Sequence, residues 1–101
     1  MHIIVHTIPV KPNSLELART FFEEQVPPLA ERFSGWRGAR LCATDDNQIV
    51  SFGMWDDEHQ MREFLAQPAF QAAMASFSEL FAGPPSQYIT QELTAVGPAR
   101  T

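Results

Sequence analysis

The side chains able to do acid–base or electrophilic chemistry in this chain are few, and their spacing limits what they can do together. His6 is the candidate acid or base, because an unperturbed imidazole titrates near neutrality. It lies within His-Ile-Ile-Val-His-Thr-Ile, β-branched company that reads as a strand. A histidine satisfied by one cross-strand hydrogen bond is an equally good reading. His2 shares the strand face, but four residues along a strand span roughly 13 Å at about 3.3 Å per residue, so the pair cannot hold one metal ion. His59 falls in the first turn of a helix and is read as solvated. Arg40, read on one face with Trp36 and Cys42, either snorkels to an acidic partner or anchors an anionic or enolate oxygen. Trp55 is either plain core or the wall of a pocket; Ser51 and Gly53, on the same strand face, are small and leave room beside it. Tyr88 is the only tyrosine, and its hydroxyl could meet a ligand or only the strand edge. Cys42 has no neighbouring His or Lys to activate it and is read as a small core residue. Asp56-Asp57-Glu58 complements a helix dipole and is not a metal site.

The elements that must position these residues follow from pattern. Ile49, Val50, Phe52, Met54 and Trp55 form a near-continuous apolar run, the mark of a strand buried on both faces. Asp56 and Asp57 follow at once, and Asp57 with Gln60 has capping-box spacing. Met61, Phe64 and Leu65 recur at helical spacing. Pro68 suits the first turn of a further helix carrying Phe70, Ala73, Met74, Phe77, Leu80 and Phe81, stopped at Gly83-Pro84-Pro85. Upstream, His2 to Val10 is the first strand. Asn13 is expected to cap a helix, with Glu16 as the second half of its capping box and an apolar stripe of Leu15, Ala18, Phe22, Val26, Leu29 and Phe33. Pro27-Pro28 predicts a kink, or a break with restart, at Gln25–Pro28. Ser34-Gly35 ends that helix. Trp36 to Thr44 is the second strand, joined as a hairpin through Asp45-Asp46-Asn47 to the third. Gln87 to Leu93 is the last, and residues 94–101 form a patternless tail, frayed or swapped onto a partner.

This order, β-α-β-β-α-β, is the ferredoxin-like α+β arrangement: a four-stranded antiparallel sheet with helices on one face. The third strand is apolar on both faces and the helices cover only one, so a second copy of the chain is the simplest cover for the other. The expected pocket lies between helices and sheet, with Ser51, Gly53 and Trp55 at its floor and Phe64 and Tyr88 as further lining; Val50, Phe52 and Met54 point the other way.

Composition bounds the rest. A chain of 101 residues, 45% apolar, is one domain with a small core. With a net charge of −5 and a single lysine, Lys11, it has no basic stripe, so nucleic acid is not an expected partner. One cysteine gives no disulfide framework and no cysteine metal cluster. The opening Met-His-Ile-Ile-Val-His is not a signal peptide and no run is long enough to span a membrane, so the expected location is cytoplasmic.

The run Ile-Val-Ser-Phe-Gly-Met-Trp-Asp-Asp-Glu, continued by Phe-Leu-Ala-Gln-Pro-Ala-Phe-Gln and Leu-Phe-Ala-Gly-Pro-Pro, resembles the antibiotic biosynthesis monooxygenase (ABM) domain family. Ile-Ile-Val followed by Val-Lys-Pro before the first helix fits too, and the likeness covers nearly the whole chain. It implies a dimeric α+β barrel in which two sheets pack face to face. It also implies a cofactor-independent monooxygenase acting on an aromatic or polyketide-like phenol, with His6 as base and Trp55 and Arg40 as donors to an oxyanion. Where relatives carry a histidine in the second helix this chain has Phe64 or Leu65, and a second, just past the helix-breaking proline, is Ala69. Neither haem nor another cofactor is therefore expected. The other reading is a small dimeric binding or accessory protein of the same fold without turnover; the two differ in whether His6 and Arg40 converge on one cavity with Trp55.

Overall fold

In the computed structural model, which describes residues 1–98, the apolar runs form four strands: β1 (His2–Pro9), β2 (Trp36–Ala43), β3 (Gln48–Trp55) and β4 (Ser86–Gln91). Between them lie α1 (Leu15–Ala30), α2 (Glu58–Ala66) and α3 (Pro68–Phe77), the last continued by one 3-10 turn, Ser78–Leu80. The sheet is antiparallel throughout, in the order β2-β3-β1-β4. This is the expected ferredoxin-like α+β arrangement, with the second helical region split at Gln67-Pro68. The split has a local cause. Pro68 disfavours helix at Gln67, whose ψ of 138° is extended, and then starts α3 at a position where its missing N–H is not needed. No helix is long and apolar enough to cross a membrane among the described residues.

Alternation assigns the two faces of the sheet. Ile4, Ile8, Ile49 and Trp55 are buried and pack with residues of the helices, including Ala18, Ala30, Met61, Phe64 and Phe77. Ile3, Val5, Val50, Phe52 and Met54, on the opposite face, are only partly buried. The corner between β3 and α2 is pinned by polar bonds. Asp57 accepts from Gln60 N at 3.0 Å, as its spacing predicts, whereas the Gln60 side chain turns away from the cap and accepts from Gly35 N at 2.6 Å. Asp56 N donates to Gly35 O at 2.8 Å and its carboxylate meets Arg37 at 2.6 Å, tying the start of β2 to the end of β3.

Several expectations change. Ser14, not Asn13, is the N-cap of α1; Asn13 sits in the left-handed region at φ 65° and its position cannot cap. Of the two alternatives at Gln25–Pro28, the break with restart does not occur: one helix continues past Pro27 and Pro28 to Ala30, and the turn at Ser34-Gly35 lies beyond its end. The third helix ends at Phe77 rather than running to the Gly83-Pro84-Pro85 stop, and Phe81 instead bridges Val10. In β2 the pairing slips between Trp36 and Ala39 at Gly38, which has φ 108°: a bulge that only glycine enters without strain. Trp36 therefore shares the helix-side face with Ala39 and Leu41, while Arg40 and Cys42 turn to the opposite one. After β4 the chain is exposed, with Leu93 97% and Val96 94% accessible. The remainder of the expected tail, 99–101, lies outside the described residues.

Candidate functional site

Between the helices and the sheet lies an apolar cavity of about 70 Å³. Its sheet wall is made by alternate residues: Ile4, His6 and Ile8 from β1, Ile49, Ser51, Gly53 and Trp55 from β3, Ala39 and Leu41 from β2. Phe21, Phe22, Val26 and Leu29 of α1, Phe64 of α2, and Phe70, Met74 and Phe77 of α3 line it from above. An engineered cavity of about 150 Å³ takes up benzene, so an aromatic ring enters this one only if lining side chains move.

One row of the wall carries three polar side chains, Ser51, His6 and Gln87. The register puts Leu41 beside Ser51, Ser51 beside His6 and His6 beside Gln87, all on the helix side. His6 Nε2 lies 2.9 Å from Gln87 Oε1. An amide oxygen can only accept, so Nε2 donates, and in the neutral ring Nδ1 keeps its lone pair. Burial lowers the His6 pKa below the ordinary 6.5, and the Gln87 bond opposes this only in part. The imidazole is thus neutral at neutral pH, the form a general base needs.

Trp55 is 1% exposed. Its ring meets Phe33 edge-on at 5.7 Å and Phe64 at 5.2 Å, and Phe64 meets Phe70 at 4.7 Å, so an aromatic cluster fixes the indole. A Cβ placed on Gly53 would lie 3.5 Å from the indole Nε1 and 3.0 Å from Ile4 Cγ2. Gly53 thus leaves the indole N–H uncovered, while Ile4 occupies the space expected to be a void.

The structure brings His6, Ser51, Gly53, Trp55 and Phe64 to one cavity and leaves two expected site residues outside it. Arg40, moved by the Gly38 bulge, pairs with Phe52 on the opposite face. Tyr88 pairs with Val5 on that same face and is 59% exposed. Neither side chain reaches a ligand held in the cavity of its own chain, so the oxyanion role expected of Arg40 and the lining role expected of Tyr88 are not supported by this geometry. His59 is paired with Glu63 at 2.7 Å on the exposed side of α2. Sequence reasoning missed Gln87, whose role depends on the β1–β4 register. It also missed the α1 and α3 side chains as lining; the Phe-rich stripes were the available signal. Among the described residues no three His, Cys, Asp or Glu side chains are grouped to hold a metal ion.

The geometry has close parallels among solved structures. A monooxygenase from the gene ActVA-Orf6 of Streptomyces coelicolor, in complex with nanaomycin D, superposes with a TM-score of 0.84 at 22% identity, covering 97% of this chain and 92% of that one. SnoaB, a cofactor-independent oxygenase from Streptomyces nogalater, gives 0.79 at 19% identity over 96% of this chain and 97% of that one. Rv0793 from Mycobacterium tuberculosis gives 0.77 at 16% identity over 95% and 98%. No curated protein matches the chain. At these identities the likeness speaks for the fold. The model of one family, antibiotic biosynthesis monooxygenase, matches residues 1–76, and on that match the chain belongs to the antibiotic biosynthesis monooxygenase family.

Proposed function

We propose that this protein is a cofactor-independent monooxygenase that oxidises an aromatic or polyketide-like phenol at a carbon activated by the ring. The observation that carries the reading is His6, a neutral base on the wall of a largely apolar cavity. In the reaction, His6 Nδ1 takes a proton from the CH₂ of the keto tautomer of the phenol. The resulting enolate accepts a hydrogen bond from the Trp55 indole N–H, the donor left uncovered by Gly53. The electron-rich ring reduces dioxygen. One oxygen atom bonds to carbon, the CH₂ becomes C=O, and the other oxygen leaves as water with the two hydrogens. The substrate supplies every electron, so the balance needs no added reductant. A dry pocket favours each of these steps by strengthening the interactions with the developing charge.

Oxygen uptake with anthrone, and no added cofactor, tests this. Uptake should depend on the protein and yield anthraquinone and water in equal amounts. No acceleration over the buffer rate would leave a non-catalytic binding protein. The small volume and the absence of Arg40 from the cavity favour that second reading. We also infer a homodimer through the open sheet face, and its test is taken up below.

A further inference from the structure

The cavity has a wider neighbour. A cleft of about 410 Å³ lies between the first half of α1 and the outer edge of β2, with Leu15, Glu16, Arg19 and Glu23 along its helix side. Cleft and cavity share Phe22, Ala39, Leu41 and Ile49, so these side chains partition one from the other. Ile49 is buried in the sheet and Ala39 is short. Phe22 from α1 and Leu41 from β2 are only partly buried and long enough to swing.

Of the 16 residues of the helix that carries Phe22 only Ala18 and Ala30 are fully buried, while Leu15, Phe21 and Leu29 pack against the core, and Ser14 makes no side-chain cap bond. Pro27 and Pro28 have no N–H to return to the carbonyls of Glu23 and Glu24, so the ladder is interrupted just after Phe22. Missing backbone bonds lower the free energy at which a segment opens locally. A cavity too small for a ring needs such an opening.

Charge decides what can pass. On the cleft, Arg19 lies 3.6 Å from Glu16 and 3.1 Å from Glu23, two carboxylates on one guanidinium. Inside, among the described residues, the polar lining is His6, Gln25, Ser51 and the two indoles, with no lysine or arginine. An anion would approach a negative rim and then be buried without a counter-charge, which is strongly unfavourable.

We propose that the ligand is an uncharged aromatic and that it reaches the cavity through the α1–β2 cleft, with Phe22 and Leu41 as the gate. This rests on the same cavity as the proposed function but holds whether or not the ligand is turned over. Both tryptophans, Trp36 and Trp55, line the cavity, so quenching of intrinsic fluorescence reports arrival.

The probe is 1-nitronaphthalene, a neutral quencher, in stopped flow beside its anionic counterpart 4-nitro-1-naphthoate. Phe22→Ala should speed association and dissociation about ten-fold each, and because Phe22 also lines the cavity the association rate is the readout of the gate. Phe22→Leu, a milder change, should move both rates the same way by less, and covers the case in which the alanine variant fails to fold. The anion should bind at least about 30-fold more weakly, roughly 2 kcal/mol at 1.4 kcal/mol per decade. Unaltered rates in a folded Phe22→Leu protein, or a change in Kd carried by dissociation alone, would place the route elsewhere. Equal binding of the anion would overturn the charge selection. Gated quenching without anthrone oxidation would sink the enzyme and keep the route; oxidation with ungated quenching would do the reverse.

Discussion

At the scale of single residues, the proposed chemistry rests on His6, and its environment sets the pH at which that residue would act. Burial disfavours the imidazolium, so the folded-state pKa lies below the ordinary 6.5. Two consequences have the same sign. As a base, His6 is competent above its folded pKa, so the acid limb of kcat/KM for anthrone should have its midpoint below 6.5. For stability, the unfolded chain takes up its proton first as pH falls, so stability is held above the ordinary histidine pKa and lost below it, down through the folded value. Melting of the native protein should therefore fall between neutral and mildly acidic pH more than that of His6→Gln, and equal slopes would mean that His6 is not buried as described. In the same variant, oxygen uptake should drop about 10²- to 10⁴-fold, the range for a lost general base. Gly53 gives a separate expectation. With Ile4 Cγ2 only 3.0 Å from a Cβ at that position, Gly53→Leu overpacks the floor and should destabilise by about 1–3 kcal/mol in thermal melts. An unchanged melting temperature would restore the void that the strand pattern suggested.

At the scale of elements, the corner from β3 into α2 is where local chemistry and tertiary fold agree, and it was the part most legible in the sequence. Asp57 caps α2 through the Gln60 N–H as the spacing requires, and Pro68 restarts a helix where its ring geometry allows. Asp57→Ala should lower stability by about 1 kcal/mol, seen as a melting temperature about 4–8 °C lower for a domain of this size. No loss would mean that the Gln60 bond to Gly35 holds the corner alone. What was not legible is just as local. Period-two alternation places Arg40 with Trp36, and it fails because Gly38 inserts a bulge that shifts every later side chain of β2 by one face. A glycine inside a strand pattern is a signal for a bulge, but its consequence depends on where the pairing slips. The capping box at Asn13 fails for a similar reason: Asn tolerates the left-handed region, and the turn after Pro12 uses it there. Gln87 stayed hidden because its partner is 81 residues away, and only the β1–β4 register sets it beside His6.

At the scale of the whole molecule, the unresolved balance is between the two faces of the sheet. The helices cover the side of Ile4, Ile8, Ile49 and Trp55; on the other side Arg40, Phe52, Val5 and Tyr88 form one row across all four strands. That row continues into Val50, Met54 and Ile3, all partly exposed. An apolar face of this extent on a small domain is the kind of surface that binds a partner. A second copy supplies an identical face, and an isologous contact of two such sheets would bury at least about 1,200 Å² in total, the lower end for specific interfaces. Light scattering at micromolar concentration should therefore give about twice the 11.4 kDa chain mass. Val5→Lys sets a charge in the middle of that contact, in the same row as the cation of Arg40 and without an acidic partner in that row, and should give the single-chain mass. Because β1 is a central strand, the substitution could also disturb the fold. Tyr88→Lys, on an exposed position of the edge strand, changes the same face without touching the core and should weaken the dimer in the same direction. A native protein that runs as a monomer, or a dimer indifferent to both lysines while the far-ultraviolet spectrum stays native, would leave the open face without the partner assigned to it.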